Sequence, residues 1–145
     1  MKFRIWMIVL LVIPLFLVYC SSPAPGGITI SGAWARPGLS GANSAVYLII
    51  ENSGNQDDVL LSAEASVAQR VELHESRMDQ SGTMSMQEQE RIDVRAKDQV
   101  AFQPGGLHVM LINLNGDLNP GDRFNLTLNF QVTGHVPVDI EVREP

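Results

Sequence analysis

Phe124-Asn125-Leu126-Thr127-Leu128-Asn129-Phe130-Gln131 alternates apolar and polar side chains from end to end. Successive side chains of an extended strand point to opposite faces. This stretch therefore gathers Phe124, Leu126, Leu128 and Phe130 on one face, the mark of a strand half-buried against a core. Working outward, further strand candidates fall at 28–35, 44–51, 59–65, 70–75, 84–89, 91–95, 99–103, 107–113 and 136–142. Turn-forming clusters separate them, among them Pro37-Gly38, Ser53-Gly54-Asn55, Asp79-Gln80-Ser81-Gly82, Pro104-Gly105-Gly106 and Asn119-Pro120-Gly121-Asp122. Many short strands at this spacing predict an all-β sandwich or barrel. The pattern alone does not say which kind of sandwich or barrel. No convincing helix and no internal repeat stand out.

A length of 145 residues points to one domain, and residues 1–20 read as separate from it. Met1-Lys2-Phe3-Arg4 is a short basic start, followed by an apolar run from Ile5 to Tyr19. This is a secretory signal pattern, and the run is short for a full membrane span of about 17–25 residues. Cys20, the single cysteine, closes the run. Leu17-Val18-Tyr19-Cys20 resembles a bacterial lipobox, with Tyr19 where a small residue is usual. Cys20 is thus the candidate lipidation site, and an uncleaved anchor is the alternative. Residues 21–27, Ser-Ser-Pro-Ala-Pro-Gly-Gly, read as a flexible tether. Residues 28–145 remain for the β domain, and the expected location is extracytoplasmic, at the periplasmic face of a membrane.

Removing residues 1–20 leaves eight of the ten basic residues against 16 acidic ones, a net charge of −8. That argues against nucleic acid and anionic membrane surfaces as partners. A domain without cysteine also excludes blue-copper electron transfer, thiol redox chemistry, thiolate zinc and iron–sulfur clusters. No Gly-x-Ser-x-Gly, His-Glu-x-x-His or phosphate loop is present. The expectation is a protein that is not an enzyme.

The residues that carry chemistry are His74, Met86, His108 and Met110. His108 and Met110 sit at i and i+2 of the strand-like segment 107–112, so they project from one face, roughly 6–7 Å apart along the backbone. Thioether sulfur is a soft ligand that favours Cu(I), and imidazole also suits copper. Convergence of the four would give a Cu(I) site of two nitrogens and two sulfurs. Taken singly, each has a blander reading, since methionine is adaptable core filler. The spacing raises the functional reading: eleven residues separate His74 from Met86, and twenty-one separate Met86 from His108.

This spacing and the closing His-x-Met resemble the signature of the periplasmic PCu(A)C copper chaperones. The family often has a Met directly after the first His, where this chain has Glu75. Ala33-Trp34-Ala35-Arg36-Pro37, Ala45-Val46-Tyr47-Leu48, Glu51-Asn52-Ser53-Gly54, Val71-Glu72-Leu73-His74-Glu75 and Pro104-Gly105-Gly106-Leu107-His108-Val109-Met110-Leu111 resemble further segments of that family, over about residues 27 to 142. The resemblance implies a cupredoxin-like Greek-key β-sandwich or barrel. It implies one Cu(I) per chain on His74, Met86, His108 and Met110, and delivery towards the dinuclear copper site of cytochrome c oxidase subunit II. Two other readings stand beside it: an envelope protein that buffers copper without delivering it, and an interaction sandwich with incidental methionines.

Met78 and Met84 flank the candidate ligands and are either auxiliary soft ligands at a copper entry lip or packing beside the site. His135, outside the motif, reads as a solvated side chain. Trp34 and Tyr47 read as core or rim aromatics, and Arg36 as a partner for a carboxylate.

Overall fold

The computed structural model describes residues 27–145. The readings of residues 1–20, of Cys20 and of most of the tether therefore lie outside the described residues.

Ten strands and no helix are found among the described residues: β1 (Ile28–Ala35), β2 (Ser44–Asn52), β3 (Asp58–Glu64), β4 (Ala68–Met78), β5 (Met84–Glu88), β6 (Ile92–Val94), β7 (Asp98–Phe102), β8 (Leu107–Leu114), β9 (Arg123–Phe130) and β10 (His135–Val142). The alternation of β9 does what its pattern requires. Leu126, Leu128 and Phe130 are buried while Asn125 is exposed. Strands β2, β8 and β10 feed the same core with Val46, Leu48 and Ile50, with Val109 and Leu111, and with Val138, Ile140 and Val142.

Hydrogen bonding runs through one continuous open ladder, in the order β5-β4-β8-β7-β2-β1-β10-β9-β3-β6. The sheet curls back so that β6 meets β2 and β7, and β3 meets β4. The fold is all-β and cupredoxin-like, as expected. The two ends of the ladder, β5 and β6, are its edges. Most pairings are antiparallel; β1 runs parallel to β10.

Two local features place the site. Long β2 pairs with β8 at its start (Ala45 with Met110) and with β7 at its end (Leu48 with Phe102). The chain steps from β7 to β8 through Gln103-Pro104-Gly105-Gly106. The Gly106 N–H donates to the Gln103 carbonyl at 3.0 Å, and Gly105 has φ of 80°. Proline second and a positive-φ glycine third make this a type II turn.

Strand β4 runs three residues beyond the 70–75 reading, to Met78. In the extension Ser76 is buried while Arg77 and Met78 are exposed, so no apolar alternation marks it. Its backbone is instead held by hairpin pairing with β5, from His74 opposite Glu88 to Met78 opposite Met84. Asp79 closes the hairpin: its Oδ1 accepts from the Ser81 hydroxyl at 2.6 Å and from the Ser81 and Thr83 N–H groups at 2.9 Å each. The Ser81 hydroxyl is the largest influence holding the Asp79 carboxyl below its ordinary range.

Candidate metal site

The ladder register decides what meets on the site face. Directly paired residues of an antiparallel ladder share a face, as do residues i and i+2 along a strand. His74 of β4 lies opposite His108 of β8. Ser76, two residues beyond His74, lies opposite Met86 of β5. Met110, two beyond His108, lies opposite Glu72 of β4. His74, Met86, His108 and Met110 therefore stand on one face, across three adjacent strands. Leu73, Val109 and Leu111 point the other way, into the core.

The two imidazole rings lie 5.8 Å apart between centroids, inclined at 49°. His108, Met86 and Met110 line a cleft of about 410 Å³, together with Met84, Tyr47, Arg36 and residues of the 104–105 turn. His74 does not line that cleft; it flanks His108 from the β4 side, its side chain only 14% exposed. His108 is 5% exposed, whereas Met86 is 58% exposed on the edge strand.

Each histidine has one nitrogen engaged and one available. The Glu72 carboxylate, an acceptor only, lies 2.9 Å from His74 Nε2, so that nitrogen carries the proton and donates. Nδ1 of His74 is then the lone-pair nitrogen, and it is buried with no hydrogen-bond partner. A buried polar atom left unpaired costs free energy, and an ion bound there recovers it. Nδ1 of His108 lies 3.1 Å from the Gly106 carbonyl oxygen. That oxygen can only accept, so Nδ1 donates and Nε2 keeps its lone pair. The same carbonyl accepts from the Ser76 N–H at 3.0 Å, which ties the turn to β4. Outer acceptors of this kind are what fix the orientation of metal-binding imidazoles.

Among the described residues, no three His, Cys, Asp or Glu side chains come together as a metal-holding group. The candidate ligands on this face are two imidazoles and two thioethers, a donor set that suits a soft ion.

Two supporting residues escaped the sequence reading. Glu72 could have been found, because it precedes His74 by two residues and must share its face. The Gly106 carbonyl could not, since a main-chain acceptor leaves no trace in residue types. Arg36 has no carboxylate partner among the described residues and instead lines the cleft, a correction to the pairing expected of it. Trp34 stacks on Tyr47 at 4.9 Å between ring centroids, Tyr47 lies 6.5 Å from the His108 ring, and the Arg143 guanidinium sits 5.1 Å over Trp34. Met78 and Met84 are exposed, and of the two only Met84 lines the cleft. His135 is exposed at the start of β10, as expected, where its Nδ1 meets Asn129.

The fold and the His/Met face define a domain of the PCuAC type. The family model described as "Putative lipoprotein LpqE-like" matches residues 28–142, and the chain belongs to that family. It is 30% identical over 129 residues to "Putative lipoprotein Lxx21020" of Leifsonia xyli subsp. xyli, covering 86% of this chain and 76% of the relative. It is 27% identical over 124 residues to protein RP573 of Rickettsia prowazekii, covering 83% and 68%. Among solved structures it is similar to the copper-bound PCuAC domain from PmoF2, at 26% identity and a TM-score of 0.69, covering 83% of this chain and 95% of that one. The apo PCuAC domain from PmoF1 shares the fold at 23% identity and a TM-score of 0.71, covering 83% and 96%.

Proposed function

We propose that this protein is an extracytoplasmic copper chaperone that binds one Cu(I) through His74, Met86, His108 and Met110 and passes it to an acceptor protein. The observation that carries the reading is the paired imidazoles: His74 and His108 face each other across the β4–β8 ladder, and each holds one nitrogen back from its hydrogen bond. The similarity to a copper-bound domain supports the choice of ion. In this reading His74 ligates through Nδ1 and His108 through Nε2. Met86 and Met110 supply neutral sulfur, which selects Cu(I) over the harder divalent ions.

Delivery is ligand exchange without electron transfer. Met86 is the most exposed of the four, so its bond is the first an incoming partner can replace. The histidines, less exposed than Met86, hold the ion until the partner's ligands are in place. The acceptor in this proposal is the dinuclear copper site of cytochrome c oxidase subunit II. Mixing the Cu(I)-loaded protein with the apo copper domain of that subunit under reducing conditions, then oxidising, should develop the visible absorption of the dinuclear centre. If Cu(I) stays on the protein, the acceptor assignment fails and copper buffering takes its place.

Glu72 holds His74 in this account. Glu72→Leu is expected to weaken Cu(I) binding by about 10–100-fold, the usual cost of losing an outer partner of a ligating histidine. Glu72→Gln keeps an accepting oxygen and should lose much less. Equal affinity in all three forms, by chelator competition, would remove Glu72 from this role.

The family's lipoprotein description supports placement at a membrane. In this proposal Cys20 is the lipidated residue, and residues 21–27 are the tether between lipid and domain. Cys20→Ser should leave the protein unlipidated, with its precursor uncleaved or the chain released. Unchanged mass and membrane fractionation would point to the apolar run as an uncleaved anchor.

A further inference from the structure

Six methionines occur in the chain, and Met1 and Met7 precede the described residues. The other four, Met78, Met84, Met86 and Met110, all lie on the site face of β4, β5 and β8. None of them belongs to the hydrophobic core cluster. This inverts the usual employment of methionine, which fills irregular gaps in cores. Met78, Met84 and Met86 are 66%, 52% and 58% exposed, so packing does not account for them.

We propose that Met78, Met84 and Met86 form a loading site for Cu(I), three thioethers that capture the ion from solution or a donor and feed it to the histidines. The proposal rests on the copper reading of the four-ligand site and adds a second station to it. Met78 and Met84 are direct cross-strand partners, a relation that places Cβ atoms about 4.5–5.5 Å apart. Met86 follows Met84 by two residues on the same face, roughly 6–7 Å along the strand. Three rotatable bonds per side chain let the sulfurs close on one ion. The turn beneath them is held by the Asp79 hydrogen bonds, so the platform is fixed while the side chains adapt.

The stations are joined. Met84 and Met86 line the same cleft as His108 and Met110, and Met78 stands beyond it, in solvent. Met86 belongs to both ligand sets, so the ion need never be free. Bonds to Met78 and Met84 break as bonds to His74, His108 and Met110 form, and copper remains Cu(I) throughout. Neutral sulfur alone binds the ion weakly enough to release it inward. Imidazole nitrogen in a partly buried site then holds it.

The test uses the full chain in detergent, labelled with 13C at the methionine methyl groups, and Cu(I) supplied anaerobically as its weakly held acetonitrile complex. Met78→Leu/Met84→Leu should leave the equilibrium affinity of the four-ligand site within about twofold while slowing Cu(I) uptake by about tenfold or more, because the soft ligands met first are gone. In His108→Ala/Met110→Leu, Cu(I) should still shift the methyl signals of Met78, Met84 and Met86. Unchanged uptake by the first variant, or no shift of Met78 and Met84 in the second, overturns the loading site. Failure of the wild-type chain to bind Cu(I) tightly, with the Met110 methyl and the His108 ring signals unmoved, instead overturns the four-ligand reading beneath it.

Discussion

His108→Ala is expected to lower Cu(I) affinity by at least about a hundredfold, beyond the 10–100-fold that loss of an outer-shell partner costs. His108 is central to the site in three ways. It faces His74 across the ladder, shares its strand face with Met110, and lines the cleft with Met86. Its nitrogen roles are fixed by a main-chain carbonyl that no side-chain substitution removes. In the proposed site, truncating it takes away one of the two nitrogen ligands. The backbone pairings of Leu107–Leu114 do not depend on the ring, so the urea midpoint of the apo form should shift little beside the change in copper affinity. Competition with a Cu(I) chelator measures the first effect and circular dichroism in urea the second. An affinity within about threefold of wild type, less than even an outer-shell loss, would take His108 out of the ligand set.

Asp58→Ala is expected to cost about 3 kcal/mol of folding stability, at the upper end for hydrogen bonds to a charged group plus the donors left unpaired. Asp58 is 3% exposed at the start of β3. Its Oδ1 accepts from the N–H groups of Val59 at 2.7 Å and Val132 at 2.9 Å. Its Oδ2 accepts from the N–H of Thr133 at 2.9 Å and from the Thr133 hydroxyl at 2.7 Å. One carboxylate thus pins the β9–β10 connection to β3 from more than seventy residues away. Burial disfavours its charge, but the Thr133 hydroxyl and the three backbone donors outweigh that and hold the carboxyl below the ordinary aspartate value of 3.8. A group depressed in the folded state stabilises the fold fully above its unfolded pKa and loses that contribution as pH falls through its folded one. Wild type should therefore lose stability below about pH 3.8, and Asp58→Ala should lose less over the same window. Parallel acid curves for the two proteins, measured by urea unfolding at each pH, would contradict this assignment.

Strands buried on one face were legible because burial leaves alternation in the residue types, as at 124–131. The end of β4 was not legible. Ser76-Arg77-Met78 carries no apolar alternation, and its backbone is fixed by pairing with β5, which was read at 84–89 although Met84–Glu88 is exposed throughout. Ladder order was not legible. Nothing in residue types says that β7 and β8 share β2 as neighbour, or that β1 runs parallel to β10. The pairing of His108 with Met110 on one face was readable from a spacing of two. That His74 stands opposite His108 depends on register between strands more than thirty residues apart, which spacing alone does not encode. The exposure of Met78 and Met84 was not legible for a related reason: it depends on being at a sheet edge, and edge position is a property of the ladder.

In the proposed site His74, Met86, His108 and Met110 hold one Cu(I) per chain. A competition titration with a Cu(I) chelator, followed on the same samples by X-ray absorption at the copper edge, tests it most directly. The expected result is one tightly held Cu(I) per chain, with scattering from both nitrogen and sulfur and a clear preference over Zn(II). Saturation with no tight site, a first shell of oxygen only, or zinc bound in preference to Cu(I) would contradict it.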